Sequence, residues 1–429
     1  MNRPNTTLPR VEAQIGDEIR RPLEIALDAA LLVMRNGGST VAAERSFSNI
    51  LKGLGEQAVA TVWRLDFVAA SNADRSIVRS VGPIGVNLTR ASEVALLGEG
   101  VAQGTIPLSA LEAEVERIRN LPTPYNRWMT VAVAAGSGAC FSQVAGGDWG
   151  SLAIAGLAAG AGQLLRGPLQ AKRVATAPVT LICGLVSALV AAAGLRFGFS
   201  EVESATLIAS VTYIVPGLPL INGFIDMVTH RHLVVGFERM LNAAFLFLVL
   251  ALAIALARTI VGLQAPTGGN QVVPSAIFMN ALWAALSATG LGVMLTAPVR
   301  YLVAAFACGF LGRGLRDVCT GLGLNGNWAT VIAAAAVVLA AVAITRRQRV
   351  SPVVLICGVL PLGSAVAVFN LIFAMVQISS ATGDKLASAS IALTASAGKV
   401  FTTSLAIAIG LAVGMAIERL VRRQAVAAA

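Results

Sequence analysis

The sequence predicts a polytopic α-helical membrane protein, with about ten transmembrane helices arranged as two five-helix inverted repeats behind a small α+β domain in the cytosol. Three observations carry this prediction. Of the 429 residues, 56% are apolar and only 13% are charged, whereas soluble domains carry about 25% charged residues. From Trp128 onward, apolar runs long enough to cross a bilayer follow one another. The order of these runs repeats once along the chain.

Residues 1–21 are polar and are predicted to form a disordered leader. No signal peptide is recognised, because the first apolar stretch after the leader is short and contains Asp28. Residues 22–127 are predicted to form a cytosolic α+β domain, and residues 1–127 together hold 14 basic and 14 acidic side chains.

Within this domain, apolar residues recur at helical spacing on both sides of Gly37-Gly38, which predicts two amphipathic helices. A period of two between Val59 and Val81, with a turn at residues 71–74, predicts a β-hairpin. Helices are predicted again at residues 87–98 and 108–118.

The second of these helices is predicted to open with a capping box from Ser109 to Glu112. The domain has no histidine, no cysteine and no P-loop, and its paired acids near Glu114 are typical of a solvated helix face. We therefore predict no enzymatic activity, no cofactor and no metal site.

Residues 128–429 hold 18 basic and 8 acidic side chains, so the whole net charge of +10 belongs to the apolar part. The basic residues occupy short tracts between hydrophobic runs, which is typical of topology determinants and argues against nucleic acid as a partner. The five cysteines show no CxxC spacing and are interpreted as small packing residues.

Ten apolar segments are predicted to span the membrane, five in a first module at residues 128–262 and five in a second at residues 273–421. They are Trp128 to Val144, Trp149 to Leu165, Val174 to Leu195, Ser204 to Ile225, Gly236 to Ala257, Val273 to Leu295, Val299 to Val318, Trp328 to Ile344, Val353 to Ile378 and Val400 to Ile417.

With both termini in the cytoplasm, cytoplasmic loops would hold twelve basic residues and outside loops six, in agreement with the positive-inside rule. Arg166 and Arg239 are counted among the cytoplasmic loop residues, and Lys385 and Lys399 among the outside ones. Arg313 and Arg316 lie on the side that the rule disfavours. The predicted location is a bacterial inner membrane.

The two sets of five helices resemble each other in order. Each has a second helix with closely spaced glycines and a fourth helix broken by proline, at Pro216-Gly217-Leu218-Pro219 and at Pro361-Leu362-Gly363. Because five is odd, a contiguous duplicate enters the membrane in the opposite orientation, as in many secondary transporters. This architecture favours alternating access.

The Pro216-Gly217-Leu218-Pro219 break is the candidate substrate site. The second half-helix is expected to begin near Pro219 and to present free N–H groups and a positive dipole end to a substrate carboxylate. A structural kink is the alternative, since proline is common in membrane helices.

Asn222, Asp226 and His230 follow at a spacing of four and share one helical face. Asn222 is assigned to the substrate site, and Asp226 to proton coupling, because an ionisable residue near the membrane is a functional candidate. The alternative places Asp226 and His230 at the cytoplasmic mouth of the helix, where charge costs little.

Three segments resemble the bacterial threonine/serine exporter family in its fused two-module form. They are Arg35-Asn36-Gly37-Gly38-Ser39-Thr40 with Glu44-Arg45, Gly85-Val86-Asn87-Leu88, and Val215-Pro216-Gly217-Leu218 with Asn222 and Asp226. The second module departs from the pattern, with Gly363-Ser364 where a Pro-Gly pair is expected.

The resemblance implies proton-driven export of threonine and serine across the inner membrane, with small amino acids, protons and lipid as partners. Some members of the family are expected to export dicarboxylates such as succinate, and this is the first alternative. A membrane channel and a membrane-anchored hydrolase are the others. The spacings Gly156-xxx-Gly160 and Gly410-xxx-Gly414 are compatible with a homo-oligomer.

Overall fold

The computed structural model describes residues 22–58, 60–72, 76–228, 232–263, 277–344, 352–362 and 364–427. The predicted leader at residues 1–21 lies outside these ranges, as do His230 and Gly363.

The N-terminal part contains four helices and a three-stranded antiparallel sheet in the order β1-β2-β3. Its elements are α1 Pro22–Arg35, α2 Thr40–Gly53, β1 Ala60–Trp63, β2 Phe67–Ser71, β3 Ser76–Ser80, α3 Leu88–Ala102, a 3₁₀ turn Leu108–Ala110 and α4 Leu111–Arg119.

Helix α1 is the centre of this unit, because ten of its 14 residues are buried. A helix that is apolar on most of its surface is typically surrounded by other elements, and α1 contacts α2, α3, α4 and β2. The Phe47 ring of α2 and the Trp63 ring of β1 meet edge to face at 5.9 Å and extend this core.

The hairpin predicted between residues 59 and 81 is confirmed, because β2 and β3 pair antiparallel with Ser71 opposite Ser76. Residues 64–66 turn the chain once more, so that Val62 of β1 pairs with Ala69 of β2 and the sheet has a third strand. One local prediction for this unit is wrong. The capping box at Ser109 is not formed, since a 3₁₀ turn precedes α4 and neither element begins with a side-chain cap.

The first predicted module consists of helices α5 to α10. They are α5 Arg127–Val144, α6 Trp149–Ala171, α7 Thr176–Arg196, α8 Glu203–Val211, a 3₁₀ turn Thr212–Ile214, α9 Gly217–Val228 and α10 Leu233–Val261.

The second predicted module consists of helices α11 to α16. They are α11 Ile277–Met294, a 3₁₀ turn Val299–Tyr301, α12 Leu302–Gly321, α13 Gly326–Ile344, α14 Pro352–Val359, a 3₁₀ turn Leu360–Leu362, α15 Ser364–Ser380 and α16 Asp384–Ala427.

Within the described residues, five helices are long and apolar enough to cross a bilayer, namely α7, α10, α11, α13 and α16. The pair α8 and α9, bent by 71° at its break, makes a sixth if it is counted as one span. The chain is thus a polytopic helical membrane protein. The predicted ten-segment layout remains a prediction.

Helix α16 is longer than predicted. It has 44 residues, or about 66 Å at 1.5 Å per residue, roughly twice the thickness of a hydrocarbon core. Lys385 and Lys399 therefore lie on this helix rather than in an outside loop. Serine and threonine residues between Lys385 and Lys399 lower the hydropathy of this stretch. The segment predicted from hydropathy therefore begins only at Val400.

Helix packing follows the same order in both halves. Helix α5 packs on α6, α6 on α7, α7 on α10 and α10 on α9, and correspondingly α11 packs on α12, α12 on α13, α13 on α16 and α16 on α15. Between the halves, α5 contacts α11, while α9 contacts α16 and α10 contacts α15.

The small-residue faces are used inside the chain. A Cβ on Gly156 would lie 3.3 Å from the Ala139 methyl of α5, and a Cβ on Gly410 would lie 2.7 Å from the Ala334 methyl of α13. These faces give no support for a homo-oligomer, because they already allow neighbouring helices of one chain to approach closely.

Candidate functional site

The break between α8 and α9 follows from Pro216. Proline has no N–H and disfavours helical backbone in the residue before it, and Val215 is extended with ψ of 130°. Helix α9 then begins at Gly217 rather than near Pro219. Pro219 therefore lies in the first turn, where a helix uses no N–H of its own.

Some of the backbone N–H groups that were expected to be free at the start of α9 make hydrogen bonds within the chain. The Gly217 N–H donates to the Val215 carbonyl at 2.8 Å, and the Leu220 N–H donates to the Pro216 carbonyl at 3.4 Å. Because Pro219 has no N–H, this first turn offers a ligand fewer donors than the sequence alone predicts.

The breaks of the two halves lie against each other. A Cβ on Gly217 would lie 3.0 Å from Cδ2 of Leu360, the first residue of the 3₁₀ turn between α14 and α15. Leu218 is buried in an apolar cluster with Ile356 and Cys357 of α14. Leu218 thus packs the two breaks together, and its assignment to substrate binding stays a prediction.

Asn222 is 1% exposed and connects α9 to the N-terminal unit. Its Nδ2 donates to the Gly37 carbonyl at 2.9 Å, while its Oδ1 has no hydrogen-bond partner among the described residues. Gly37 has φ of +86°, and a Cβ at this position would lie 3.0 Å from Leu218. Only glycine tolerates this turn without strain.

The Asp226 side chain is fully buried and lies at the N-terminus of α2. Oδ1 accepts the Thr40 N–H at 3.0 Å and the Val41 N–H at 3.3 Å, and Oδ2 accepts the Thr40 hydroxyl at 2.9 Å. The free N–H groups and positive dipole end of α2 stabilise the carboxylate.

Arg239 of α10 completes this cluster. Its Nε lies 3.2 Å from Asp226 Oδ2, so the two side chains form an ion pair. The Nε–H group does not point at the carboxylate well enough to make a hydrogen bond. Its Nη2 donates to the Gly38 carbonyl at 3.1 Å. Arg239 is 4% exposed, so its prediction as a loop residue is wrong.

The segments that carry the family resemblance therefore meet in space. Residues 36–40 form hydrogen bonds with Asn222, Asp226 and Arg239. In the same turn, the Asn36 carbonyl accepts a hydrogen bond from the Asn87 N–H at 3.1 Å. Sequence reasoning found these segments separately but did not find their contact, because they are separated by up to 186 residues.

More contacts join the N-terminal unit to α10. His232 Nε2 lies 3.2 Å from Glu44 Oε2, and the His232 ring meets Trp63 edge to face at 6.0 Å. Glu238 accepts the Leu65 N–H at 3.0 Å. His232 thus lies at an interface within the chain, at the N-terminal end of α10.

The same unit also touches the second half. The Leu88 N–H donates to the Leu295 carbonyl at 3.0 Å, and the Thr89 hydroxyl donates to the Thr296 carbonyl at 2.7 Å. The Tyr125 hydroxyl donates to the Ala297 carbonyl at 2.5 Å. Burial raises the pKa of this Tyr125 hydroxyl, so it remains protonated.

Sequence reasoning also missed Arg166, which it placed in a loop. Arg166 lies within α6, and its Nη1 donates to the Tyr213 carbonyl at 3.3 Å, just before the break. The Tyr213 hydroxyl lies 3.1 Å from Ser187 Oγ and donates to the Cys183 carbonyl at 3.2 Å.

No group of three or more metal-ligating side chains occurs in the part of the chain that the structure describes. The fold and this site define a polytopic helical membrane protein whose broken helix is attached to an N-terminal unit.

The chain belongs to the threonine/serine exporter family. The ThrE family model matches residues 24–261, and a second model, described as "Threonine/Serine exporter, ThrE", matches residues 280–421. The resemblance predicted from the three segments is confirmed.

Three curated relatives are similar to the chain. The "Probable threonine/serine exporter" of Mycobacterium tuberculosis is 26% identical over 321 residues, which is 70% of this chain and 58% of the relative. The "Probable succinate transporter subunit YjjP" of Klebsiella aerogenes is 23% identical over 252 residues, 58% of this chain and 96% of the relative.

The protein of the same name from Escherichia coli K12 is 24% identical over 264 residues, 58% of this chain and 98% of the relative. The chain thus spans less than two thirds of the first relative and nearly all of the other two. No solved structure matches the chain.

Proposed function

We propose that the protein is a secondary transporter that exports small hydroxy amino acids, threonine and serine, across the bacterial inner membrane by proton-coupled alternating access. The observation that carries this proposal is the contact between the two helix breaks, at Gly217 and Leu360, in a chain of an exporter family. Broken helices near the bilayer midplane are where transporters bind substrate. No enzymatic role is proposed for a chain of this family.

The order of helix contacts supports two five-helix modules related as inverted repeats, at residues 128–262 and 273–421. Each helix of the first half has a counterpart with equivalent neighbours in the second. The contacts of α9 with α16 and of α10 with α15 are reciprocal under this correspondence. Rocking one module against the other would open the breaks alternately to each side.

The substrate site is proposed at the break, with Pro216, Gly217, Leu218, Pro219 and Asn222 as its elements. The unpartnered Asn222 Oδ1 supports this assignment, because a buried acceptor without a partner is costly until a donor such as an ammonium or hydroxyl reaches it.

Proton coupling is proposed at Asp226. When a proton joins Oδ2, the carboxylate loses its charge, its attraction to Arg239 weakens, and Oδ2 no longer accepts the Thr40 hydroxyl equally well. Protonation would therefore loosen α2 from α9 at the inner mouth, and deprotonation would restore the contact.

The experiment uses the full chain in proteoliposomes with labelled threonine, serine and succinate, with and without a pH gradient. We expect threonine and serine to move, and the gradient to accelerate their net flux. Uptake of neither amino acid would contradict the proposal.

Export of a small dicarboxylate is the second candidate, because two relatives are named as succinate transporter subunits. Gradient-driven movement of succinate alone would favour it. Passive flux of all three solutes, without counterflow and without a gradient effect, would favour a channel.

A further inference from the structure

We infer that Arg166 and Gln163 of α6 form the polar half of the substrate site, with Arg166 binding the carboxylate and Gln163 accepting the ammonium of an amino acid. This inference rests on the proposed function and extends its site from the broken helix to a second helix.

The first argument is that Arg166 has no acidic partner. In the part of the chain that the structure describes, no Asp or Glu oxygen lies within 4.0 Å of its guanidinium, and the Tyr213 carbonyl is its hydrogen-bond partner. Three buried arginines of other helices each lie beside a carboxylate. They are Arg239 with Asp226 and Arg258 with Glu203, both on α10, and Arg313 with Asp317 on α12.

A guanidinium inside a helical membrane protein is costly without a counter-charge. Arg166 is half-buried, so a neutral carbonyl compensates only part of this cost. An anionic ligand would supply the missing charge, and the planar guanidinium matches a carboxylate in two parallel hydrogen bonds.

The second argument is the position of Arg166 beside the break. Gly162 lies one helical turn before it, and a Cβ there would overlap the Tyr213 hydroxyl and Ser187 Oγ. The glycine thus lets the 3₁₀ turn and α7 approach α6 at this level. The two hydroxyl groups lie against α6 at Gly162, one helical turn before Arg166, and this suits a ligand that carries a hydroxyl.

The third argument is Gln163. Its Oε1 is buried and has no hydrogen-bond partner among the described residues. Gln163 and Arg166 are three residues apart, so their Cβ atoms are about 5–6 Å apart on neighbouring parts of one helix face. A guanidinium and a carbonyl acceptor on one helix face suit the adjacent carboxylate and ammonium groups of an α-amino acid.

The experiment measures equilibrium binding to the purified full chain in nanodiscs. The probes are labelled threonine, threoninamide, which lacks the carboxylate charge, and 3-hydroxybutyrate, which lacks the ammonium. For the wild-type protein we expect threonine to bind at least about tenfold more tightly than either analogue, since each lacks one charged hydrogen bond.

We expect Arg166→Gln to weaken threonine binding at least about tenfold and to leave threoninamide binding within about twofold. The threonine affinity of Arg166→Lys should lie between that of the wild-type protein and that of Arg166→Gln. We expect Gln163→Leu to weaken threonine and threoninamide but not 3-hydroxybutyrate.

Arg127→Gln is the matched control, because Arg127 Nη2 also donates to a backbone carbonyl, that of Leu164, at 3.2 Å. We expect no change in binding for this variant. If Arg166→Gln and Arg127→Gln lose threonine binding to the same extent, Arg166 only binds a backbone carbonyl, and the inference is overturned.

Two further results would overturn it. One is an Arg166→Gln protein with wild-type melting temperature and wild-type threonine affinity. The other needs no variant: a wild-type protein that binds threoninamide as tightly as threonine has no carboxylate site.

Failure of the proposed function is distinguishable from these results. A wild-type protein that binds neither threonine nor serine contradicts the proposed amino-acid export, and with it the role of Gln163. If that protein binds succinate, weakening by Arg166→Gln supports the carboxylate role of Arg166, and unchanged binding overturns it.

Discussion

Asp226 joins α9 to the N-terminal unit, and it is also the residue at which we propose proton coupling. It is fully buried, and its partners come from α2 and from α10. Removing the charge of a buried, paired carboxylate leaves the partner charge uncompensated. The two roles are separable because only coupling requires the proton to move.

We expect Asp226→Asn to abolish gradient-driven threonine efflux while retaining threonine–threonine exchange, which moves no net proton. The measurement is efflux from proteoliposomes with and without a pH gradient. Glu238→Gln is the control, because Glu238 also accepts a bond from the N-terminal unit, on Leu65 N–H at 3.0 Å. Undiminished driven efflux in Asp226→Asn would leave Asp226 with an attachment role alone.

Asp148 gives a residue-scale prediction about stability. It caps α6 by accepting the Ser151 N–H at 2.6 Å, and it also accepts the Glu201 N–H at 3.1 Å and the Ser200 hydroxyl at 2.9 Å. Burial acts to raise the pKa of Asp148, but these hydrogen bonds outweigh it, so the pKa lies below its ordinary value.

A carboxylate with a depressed pKa stabilises the fold above its unfolded pKa of about 3.9, and this contribution is lost as the pH falls through the folded pKa. We expect Asp148→Asn to destabilise the protein by about 0.5–1 kcal/mol at pH 7, because the amide still caps the helix but lacks the charge that strengthens these hydrogen bonds. The difference in melting temperature from wild type should shrink below about pH 4. A pH-independent difference would contradict the role of the charge.

At this scale, the sequence revealed Asp226 and Asn222 because polar residues stand out in an apolar run. It did not reveal Arg239 and Thr40 as neighbours of Asp226, or Arg166 as a partner of Tyr213. Basic residues near the ends of apolar runs are usually in loops, and nothing in the spacing distinguishes an arginine that points back into the protein.

The broken helix shows how elements depend on single prolines. Pro216 sets the break, whereas Pro219 lies in the first turn of α9 at no cost in hydrogen bonds. The sequence predicted that a break exists here, because two prolines interrupt an apolar run. It could not predict which proline begins the new helix.

We expect Pro216→Ala with Pro219→Ala to impair substrate binding and efflux while leaving the melting temperature equal or higher. Each proline in a helix interior costs up to about 3 kcal/mol, so the repair favours a continuous helix. Efflux and thermal stability are measured together in liposomes and detergent.

The single variants make this test sharper. Pro216→Ala alone should account for most of the loss, because Pro216 sets the break. Pro219→Ala alone should reduce binding and efflux less, because its position in the first turn needs no N–H. A double variant that is well folded and exports normally would make the break a packing kink.

At the scale of the whole molecule, hydropathy predicted the order and approximate bounds of the helices. The same reasoning could not predict which helices touch across the two halves, since apolar faces in lipid carry little information about their partners. The contact of the two breaks through Gly217 and Leu360 became visible only in three dimensions.

The topology gives a prediction at this scale. In intact cells that carry a cysteine-free variant of the protein, a thiol at Ser71 should be protected from a membrane-impermeant reagent, and one at Gly268 should be labelled. Ser71 belongs to β2 of the N-terminal unit, while residue 268 lies outside the described residues. Labelling of Ser71 from outside would contradict the cytoplasmic position of the unit.

The N-terminal unit is attached to the first half at Asp226, His232 and Glu238, and to the second half at the carbonyls of residues 295–297. If protonation loosens the contact at Asp226, the other contacts and the covalent link to α5 keep α2 close to α9. Redocking is then intramolecular, and for short links the effective concentration is on the order of millimolar. The unit would then tilt about its contact with the second half rather than dissociate. At the end of each transport cycle, α2 would still lie close enough to Asp226 for this contact to form again.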